Sequence, residues 1–158
     1  AGLVYKVNRV RDLNVPLRFY SDSNAFKLYL LDIGLLGAMT DAPAKSILIG
    51  DSIFIEYKGA FTENYVLQQI IAIPDRPTYY YSKDNSTQEL DFVVQKGTTV
   101  YPIEVKAEEN VKSKSLASCI THDFKDYCLH GIRFSMKGYK EQDWMTNIPL
   151  YAVRAFFA

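Results

Sequence analysis

A glycine set between two strand-like runs leaves a chain few alternatives to a hairpin, and residues 89–107, ELDFVVQKGTTVYPIEVKA, have that form. Lys96-Gly97 is the expected turn, because glycine supplies the positive φ that a tight hairpin loop needs. Side chains alternate along a strand, so Glu104 and Lys106 share one face while Ile103 and Val105 take the other. If Gln95 pairs with Thr98, Asp91 falls opposite Pro102 and diagonal to Glu104, roughly 7 Å away at Cβ and on the same face. Two carboxylates and a lysine then converge on one patch. A slip of one residue would send Asp91 to the opposite face, so the turn decides the site.

A fourth charged group comes from the preceding segment. GAFTENYVLQQII carries Val66, Leu67, Ile70 and Ile71 at helical spacing, and Pro74 marks its end. Glu63 lies three, four and seven residues before Val66, Leu67 and Ile70, which places a carboxylate on the apolar face of the helix. An ionised group there needs a partner. The competing account is a first-turn acid held by the helix dipole with its head in water.

Elsewhere the pattern is that of a mixed α/β chain. LVYKVNRV reads as a strand, and LRFYSD as an extended piece leading into a second strand in which Phe26, Leu28 and Leu30 alternate with Lys27 and Tyr29, ending near Leu31. Asp32 stands where an N-cap belongs, before a short apolar segment from Ile33 to Met39. DAPAKS suggests a loop entering a helix with Pro43 in its first turn, and DSIFIEYKG fits helix or strand. Tyr79–Ser82 forms a strand before the turn chemistry of KDNSTQ. After Ala107 a polar loop enters a helix with core positions Leu116, Cys119, Ile120 and Phe124. GIRFSMKG reads as a strand, GYKEQDWMTN as a loop, and IPLYAVRAFFA as a last strand or helix. Strands alternate with helices from residue 59, so the expected class is α/β with a mixed central sheet flanked by helices. The expectation is one domain over 1–158, with N-terminal strands and short helices over 1–58 and the main core over 59–158.

Composition narrows the partners. The 18 basic and 18 acidic side chains cancel, so no long-range field draws the chain to nucleic acid. A local basic rim survives that balance, since Lys83, Lys96, Lys106, Lys112 and Lys114 fall in or near the hairpin. Lys112 and Lys114 are candidate phosphate contacts, set against the plainer reading of a solvated helix start. The 12 Tyr and 9 Phe spread over the whole length, which suits core packing better than a base-stacking platform. No apolar run approaches the roughly 20 residues of a membrane span, and residues 1–20 lack a signal-peptide pattern, so a cytoplasmic location is expected. Two cysteines are too few for a disulfide framework.

The chemistry of two acids and a lysine is that of a hard cation. Magnesium keeps several waters and needs only one or two protein carboxylates, which Asp91 and Glu104 supply. Lys106 would neutralise charge growing in the transition state, and Glu63 would complete the site. Hydrolysis of a phosphodiester fits this set best. Alternate acid and lysine on the wet face of a half-buried strand form the rival explanation.

The array of Glu63 on a helix, Asp91 at a strand start and Glu104-Val105-Lys106 in the next strand resembles the PD-(D/E)xK nuclease superfamily, to which restriction endonucleases and RecB-type nuclease domains belong. More narrowly, FKLYLLDIGLL, KGAFTENYV, ELDFVVQKG, YPIEVKA and GIRFSMKGY with IPLYA resemble a bacterial and archaeal domain of unassigned function that follows an AAA-type ATPase core. The resemblance implies a restriction-endonuclease-like core, Asp91 and Glu104 as ligands of Mg²⁺ or Mn²⁺, Lys106 as the catalytic lysine and Glu63 as the helix acid. It also implies DNA as substrate and an ATPase domain N-terminal in the same protein, of which this chain would be a C-terminal fragment. One position departs: Leu90, not proline, precedes Asp91. The chain carries no Gly-x-x-x-x-Gly-Lys-Ser/Thr, hence no nucleotide-cradling P-loop of its own. The alternative from another class is a catalytically silent interaction or regulatory module for the attached ATPase, which the neutral charge favours.

Overall fold

The computed structural model describes residues 2–39, 55–84, 87–107, 112–127 and 129–158, with Ile55 and Glu56 as backbone alone. Among them, eight strands form one mixed sheet: β1 (Val4–Val10), β2 (Ser21–Leu30), β3 (Thr78–Ser82), β4 (Glu89–Lys96), β5 (Thr99–Lys106), β6 (Gly131–Ser135), β7 (Lys140–Glu141) and β8 (Met145–Pro149). Their order across the sheet is β2-β1-β3-β4-β5-β6-β8-β7. The pairs β1–β3, β5–β6 and β6–β8 are parallel and the rest antiparallel. Four helices pack against the sheet: α1 (Ile33–Met39), α2 (Ile55–Ile71), α3 (Lys114–Ser118, continued by a π-helical turn, Cys119–Asp123) and α4 (Val153–Phe157). The mixed α/β class expected from the pattern is the one observed.

Both faces of the central strands are covered. On one, Val66, Leu67 and Ile70 of α2 with Val153 and Phe157 of α4 pack on Phe92, Val94, Ile103, Val105, Ile132 and Phe134. On the other, Leu116, Cys119 and Ile120 pack with Leu13, Leu17, Leu90, Val93 and Val100. Sheet strands buried on two faces read as near-continuous apolar runs, which is why β4 holds LDFVV. Gly131 lets α3 and its π-helical turn approach the sheet closely, since a Cβ there would lie 2.7 Å from Ile120 Cδ1.

Several local expectations hold. Asp32 caps α1, accepting from the Leu35 amide at 2.8 Å. The helix through Val66–Ile71 ends before Pro74 and begins by Ile55, which settles the IEYKG part of the ambiguous segment. The expected loop at DAPAKS lies outside the described residues.

Others are corrected. LRFY is a 3-10 turn, Leu17–Tyr20, and not extended, because burial of Leu17 in the second cluster folds the chain back after Pro16. The presumed loop GYKEQDWMTN contains β7 and the start of β8; β8 is wholly buried, so its polar Thr146 and Asn147 disguise an interior strand. IPLYAVRAFFA divides into the end of β8, a 3-10 turn and α4. In β2 the inward face is the opposite of what hydropathy suggests: Tyr29 is buried, while Phe26 and Leu28 are exposed.

Asn64 fastens the edge strand β2 to α2 through the backbone of Leu30. Asn64, 2% exposed, accepts from the Leu30 amide at 2.8 Å and donates to the Leu30 carbonyl at 3.1 Å, standing in for a neighbouring strand. Asn64→Leu leaves both backbone groups short of a partner and should destabilise the domain by about 2–4 kcal/mol. Urea denaturation measures the loss, and accelerated hydrogen exchange at the Leu30 amide assigns it to this contact.

Candidate functional site

The hairpin that carries the candidate residues turns at Gly97-Thr98, with Gly97 at φ 61° and Lys96 paired with Thr99. Gln95 therefore pairs with Val100 and not with Thr98. A glycine at the first loop position, as in II′ turns, moves the register by two residues. Two is an even shift, so Asp91 still falls across from the alternate set of β5 residues that includes Glu104 and Lys106. The register runs through Phe92 opposite Ile103, which sets Asp91 level with Glu104 and no longer diagonal to it.

Asp91 occupies an irregular position. β3 pairs Tyr79 with Val93 but Tyr81 with Leu90, so β4 carries one extra residue across from it. The side-chain alternation resets there: Leu90 and Val93 belong to one cluster, Phe92 and Val94 to the other. A bulge re-aims the side chain that it carries. The Asp91 carboxylate accepts from the Val105 amide at 2.6 Å, which ties the start of β4 to the end of β5.

Glu104 is 5% exposed. Its Oε1 meets Lys106 Nζ at 2.6 Å, and its Oε2 is buried with no hydrogen-bond partner among the described residues. The register across β5, β6 and β8 aligns Glu104, Arg133 and Asn147 in one row. The wet-face ion pair proposed as a rival does not describe this carboxylate, which lies inside.

Glu63 is half-buried and accepts from Tyr29 Oη at 3.2 Å. Burial raises its pKa, opposed by Lys27, by the Tyr29 hydrogen bond and by Lys106, while Glu89 adds to the rise. Asp91 is raised to about 7, first by burial and then by the charge of Glu63; the Val105 amide and Lys27 oppose this and Glu104 reinforces it. Lys27 ion-pairs with Glu89. Burial pulls its pKa down, but Glu89 with the fields of Glu63 and Asp91 outweighs that and the net shift is upward. Glu63, Asp91, Glu104 and Lys106 thus lie within reach of one another's charge at one end of the sheet. Glu63 also lines a cavity of about 360 Å³ with Lys27, Tyr29 and Asn64. Asp91, Glu104 and Lys106 are not among its walls. Lys112 and Lys114 are exposed on either side of buried Ser113.

Sequence reasoning passed over Lys27, Tyr29 and Glu89. The one available signal was the alternation in FKLYL, where Lys27 and Tyr29 share a face; hydropathy assigned that face to solvent. Among the described residues, no three His, Cys, Asp or Glu side chains are gathered closely enough to hold a metal ion. No described helix is long and apolar enough to cross a membrane.

The shifted pKa of Asp91 predicts a pH dependence. A raised carboxyl pKa means that the folded state keeps a proton the unfolded state has released. The associated stability is fully present below pH 3.8 and is lost as pH rises through about 7. Urea midpoints should fall as pH rises from 3.8 to about 7, and Asp91→Asn should flatten that slope while raising stability at the alkaline end.

Fold and site together define a mixed α/β domain with an acid and lysine cluster where its central hairpin ends. Residues 58–153 match the family described as Domain of unknown function (DUF4143), and the chain belongs to that family. No curated protein and no solved structure matches it. The matched span includes Glu63, Asp91, Glu104 and Lys106, and leaves Lys27 and Tyr29 outside.

Proposed function

We propose that the domain hydrolyses phosphodiester bonds in DNA with the aid of Mg²⁺ or Mn²⁺, and that it works joined to an AAA-type ATPase domain. The observation that carries this reading is the orphaned Oε2 of Glu104, a buried carboxylate oxygen with no donor among the described residues, beside a lysine and level with the half-buried Asp91. Such an oxygen costs free energy unless something satisfies it, and a hard cation does so. Asp91 and Glu104 would hold the cation, water completing its shell as magnesium prefers. The raised pKa of Asp91 is the electrostatic counterpart: a site rich in negative charge and poor in solvent favours a cation.

A bound divalent cation supplies Lewis acidity toward the phosphoryl group and eases deprotonation of the attacking water. Lys106 places a positive charge where negative charge grows on the phosphoryl oxygens, from a position fixed by its bond to Glu104. Glu63, oriented by Tyr29, bears on Asp91 through its charge and holds the helix side of the site. The likeness of this array to PD-(D/E)xK nucleases supports the same assignment.

The test is incubation of the purified domain with linear and circular DNA. Cleavage should require Mg²⁺ or Mn²⁺ and should cease with EDTA. Absence of cleavage with either cation, by the domain and by the protein carrying the ATPase, would sink the reading.

A second reading, a silent interaction module for the ATPase, has its own observation. The outer pair β1–β2 leaves Val4, Phe26 and Leu28 about half exposed on one face. Apolar side chains grouped on a sheet face suit a docking surface. If cleavage is absent while Phe26→Lys detaches the domain from its ATPase, this reading replaces the first.

A further inference from the structure

The polar row that starts at Glu104 leads into a cavity. One strand over from Glu104, about 5 Å away, Arg133 stands on β6, and beyond it Asn147 stands on β8. The cavity above this row has a volume of about 620 Å³, in the range of small-ligand pockets. Its floor includes the Arg133 guanidinium, 8% exposed, and its rim includes Lys137 and Lys140. Among the described residues, the lining contains these three cations and no carboxylate. Tyr139 and Trp144 supply two aromatic walls, Tyr139 being 66% exposed. Lys112 and Lys114 flank Ser113, another lining residue, and extend the basic margin.

The floor is held rigid. Arg133 Nε donates to Asn147 Oδ1 at 2.8 Å and Nη1 to Ser113 Oγ at 3.4 Å. Asn147 is fixed in turn, accepting from Ser135 Oγ at 2.7 Å and donating to the carbonyls of Lys137 and Gly138 at 3.2 and 2.8 Å. The Asn147 side chain thereby sets both the guanidinium and the loop that bears the lysines. A buried guanidinium with lysines above it suits a phosphate, and two aromatic rings beside it, Tyr139 exposed and Trp144 half-buried against the second core cluster, suit a base.

The geometry points to a nucleotide subsite in this cavity, in which Arg133, Lys137 and Lys140 hold a phosphate of single-stranded DNA and Tyr139 and Trp144 stack its base, next to Glu104 and Lys106. This assignment rests on the proposed nuclease reading for the direction of the strand toward Glu104. A paired base has no free face to offer, so the strand is single where it enters.

Trp144 is the sole tryptophan of the chain, so its emission reports occupancy without a label. The experiment titrates the intact domain, without divalent cation, with a short oligothymidylate, with thymidine monophosphate and with inorganic phosphate. The oligothymidylate should quench Trp144 saturably and more tightly than the monophosphate. Phosphate alone should leave the emission unchanged but compete with both. Lys137→Ala with Lys140→Ala, both exposed positions, should weaken oligothymidylate binding about tenfold or more and lower its salt dependence. Tyr139→Ala should weaken the monophosphate as well as the strand.

No quenching, or quenching indifferent to these substitutions, overturns the assignment, and a monophosphate that binds as tightly as the strand replaces it with a free-nucleotide site. Because no cation is added, cleavage plays no part in the readout. Intact quenching without cleavage leaves the subsite standing while the nuclease reading falls; cleavage that survives the lysine substitutions undiminished, with no quenching, has the reverse meaning.

Discussion

Lys106→Ala should lower cation-dependent DNA cleavage by about 10²–10³-fold, the usual effect of removing a preorganised group that meets charge built up in a transition state. The side chain is one-third exposed, but its removal strips the buried Glu104 carboxylate of its ion-pair partner, so the variant should be less stable than the parent and is compared with it under conditions where both are folded. Removal also frees Glu104 Oε1 beside the Oε2 that already lacks a donor. The alanine variant should therefore bind Mn²⁺ at least as tightly as the parent while cleaving far more slowly. That split between binding and turnover separates a charge-stabilising lysine from one that merely shapes the site. Lys106→Arg should restore little, since a forked guanidinium does not reproduce a compact ammonium at Glu104. Equal cleavage by parent and alanine variant would remove Lys106 from the mechanism. Calorimetric titration of Mn²⁺ alongside a single-turnover cleavage assay gives both quantities.

Phe92→Ala should destabilise the domain by about 3–5 kcal/mol, a large part of the roughly 5–15 kcal/mol that holds a domain of this size folded. Phe92 is fully buried beneath α2, and its ring meets Tyr29 at 5.5 Å between centroids. Truncation opens a cavity between the neighbour of Asp91 and the tyrosine that orients Glu63. Activity should therefore fall even under conditions where the variant is folded. Phe92→Leu, which preserves much of the volume, should recover most of the stability. Thermal and urea unfolding monitored by circular dichroism measure the loss.

The extent to which this domain is legible in its sequence follows from where its information is local. The hairpin, α2 and the cap at Asp32 are written in short-range pattern: a glycine turn, helical spacing ended by proline, and a carboxylate before an apolar run. The choice of face for β2 is not. Phe26 and Leu28 carry more hydropathy than Lys27 and Tyr29, yet Tyr29 faces inward because Glu63 and Phe92, far along the chain, receive it. β8 was hidden for a related reason. Its Thr146 and Asn147 are buried polar residues whose partners, His130, Arg133 and Ser135, lie on another strand or its approach, so nothing near them in sequence marks an interior position. The candidate site was legible as a set of residue types, since Glu104 and Lys106, two apart on one strand, share a face whatever the register. Its environment was not: the bulge at Asp91, the burial of Glu104 and the contribution of Lys27 and Tyr29 all depend on pairing between distant strands.

The parallel pairing of β1 with β3 also shapes how the chain reaches this structure. Residues 9 and 80 are partners, and Arg9 bridges Asp22 and Asp84 across that seam. β4–β5 closes over a two-residue loop and β1–β2 over the connection 11–20, both far shorter than the span from residue 9 to residue 80, so the seam must wait for α2 and the residues around it to be placed. Loop closure over such a span is slow compared with hairpin formation. The two hairpins are thus expected to form before they join, and Tyr29 with Lys27 to reach Glu63 and Asp91 only at the joining step. The acid cluster is electrostatically complete only in the last state of assembly, so a partly folded chain would carry the acids and the lysine without the setting that tunes them.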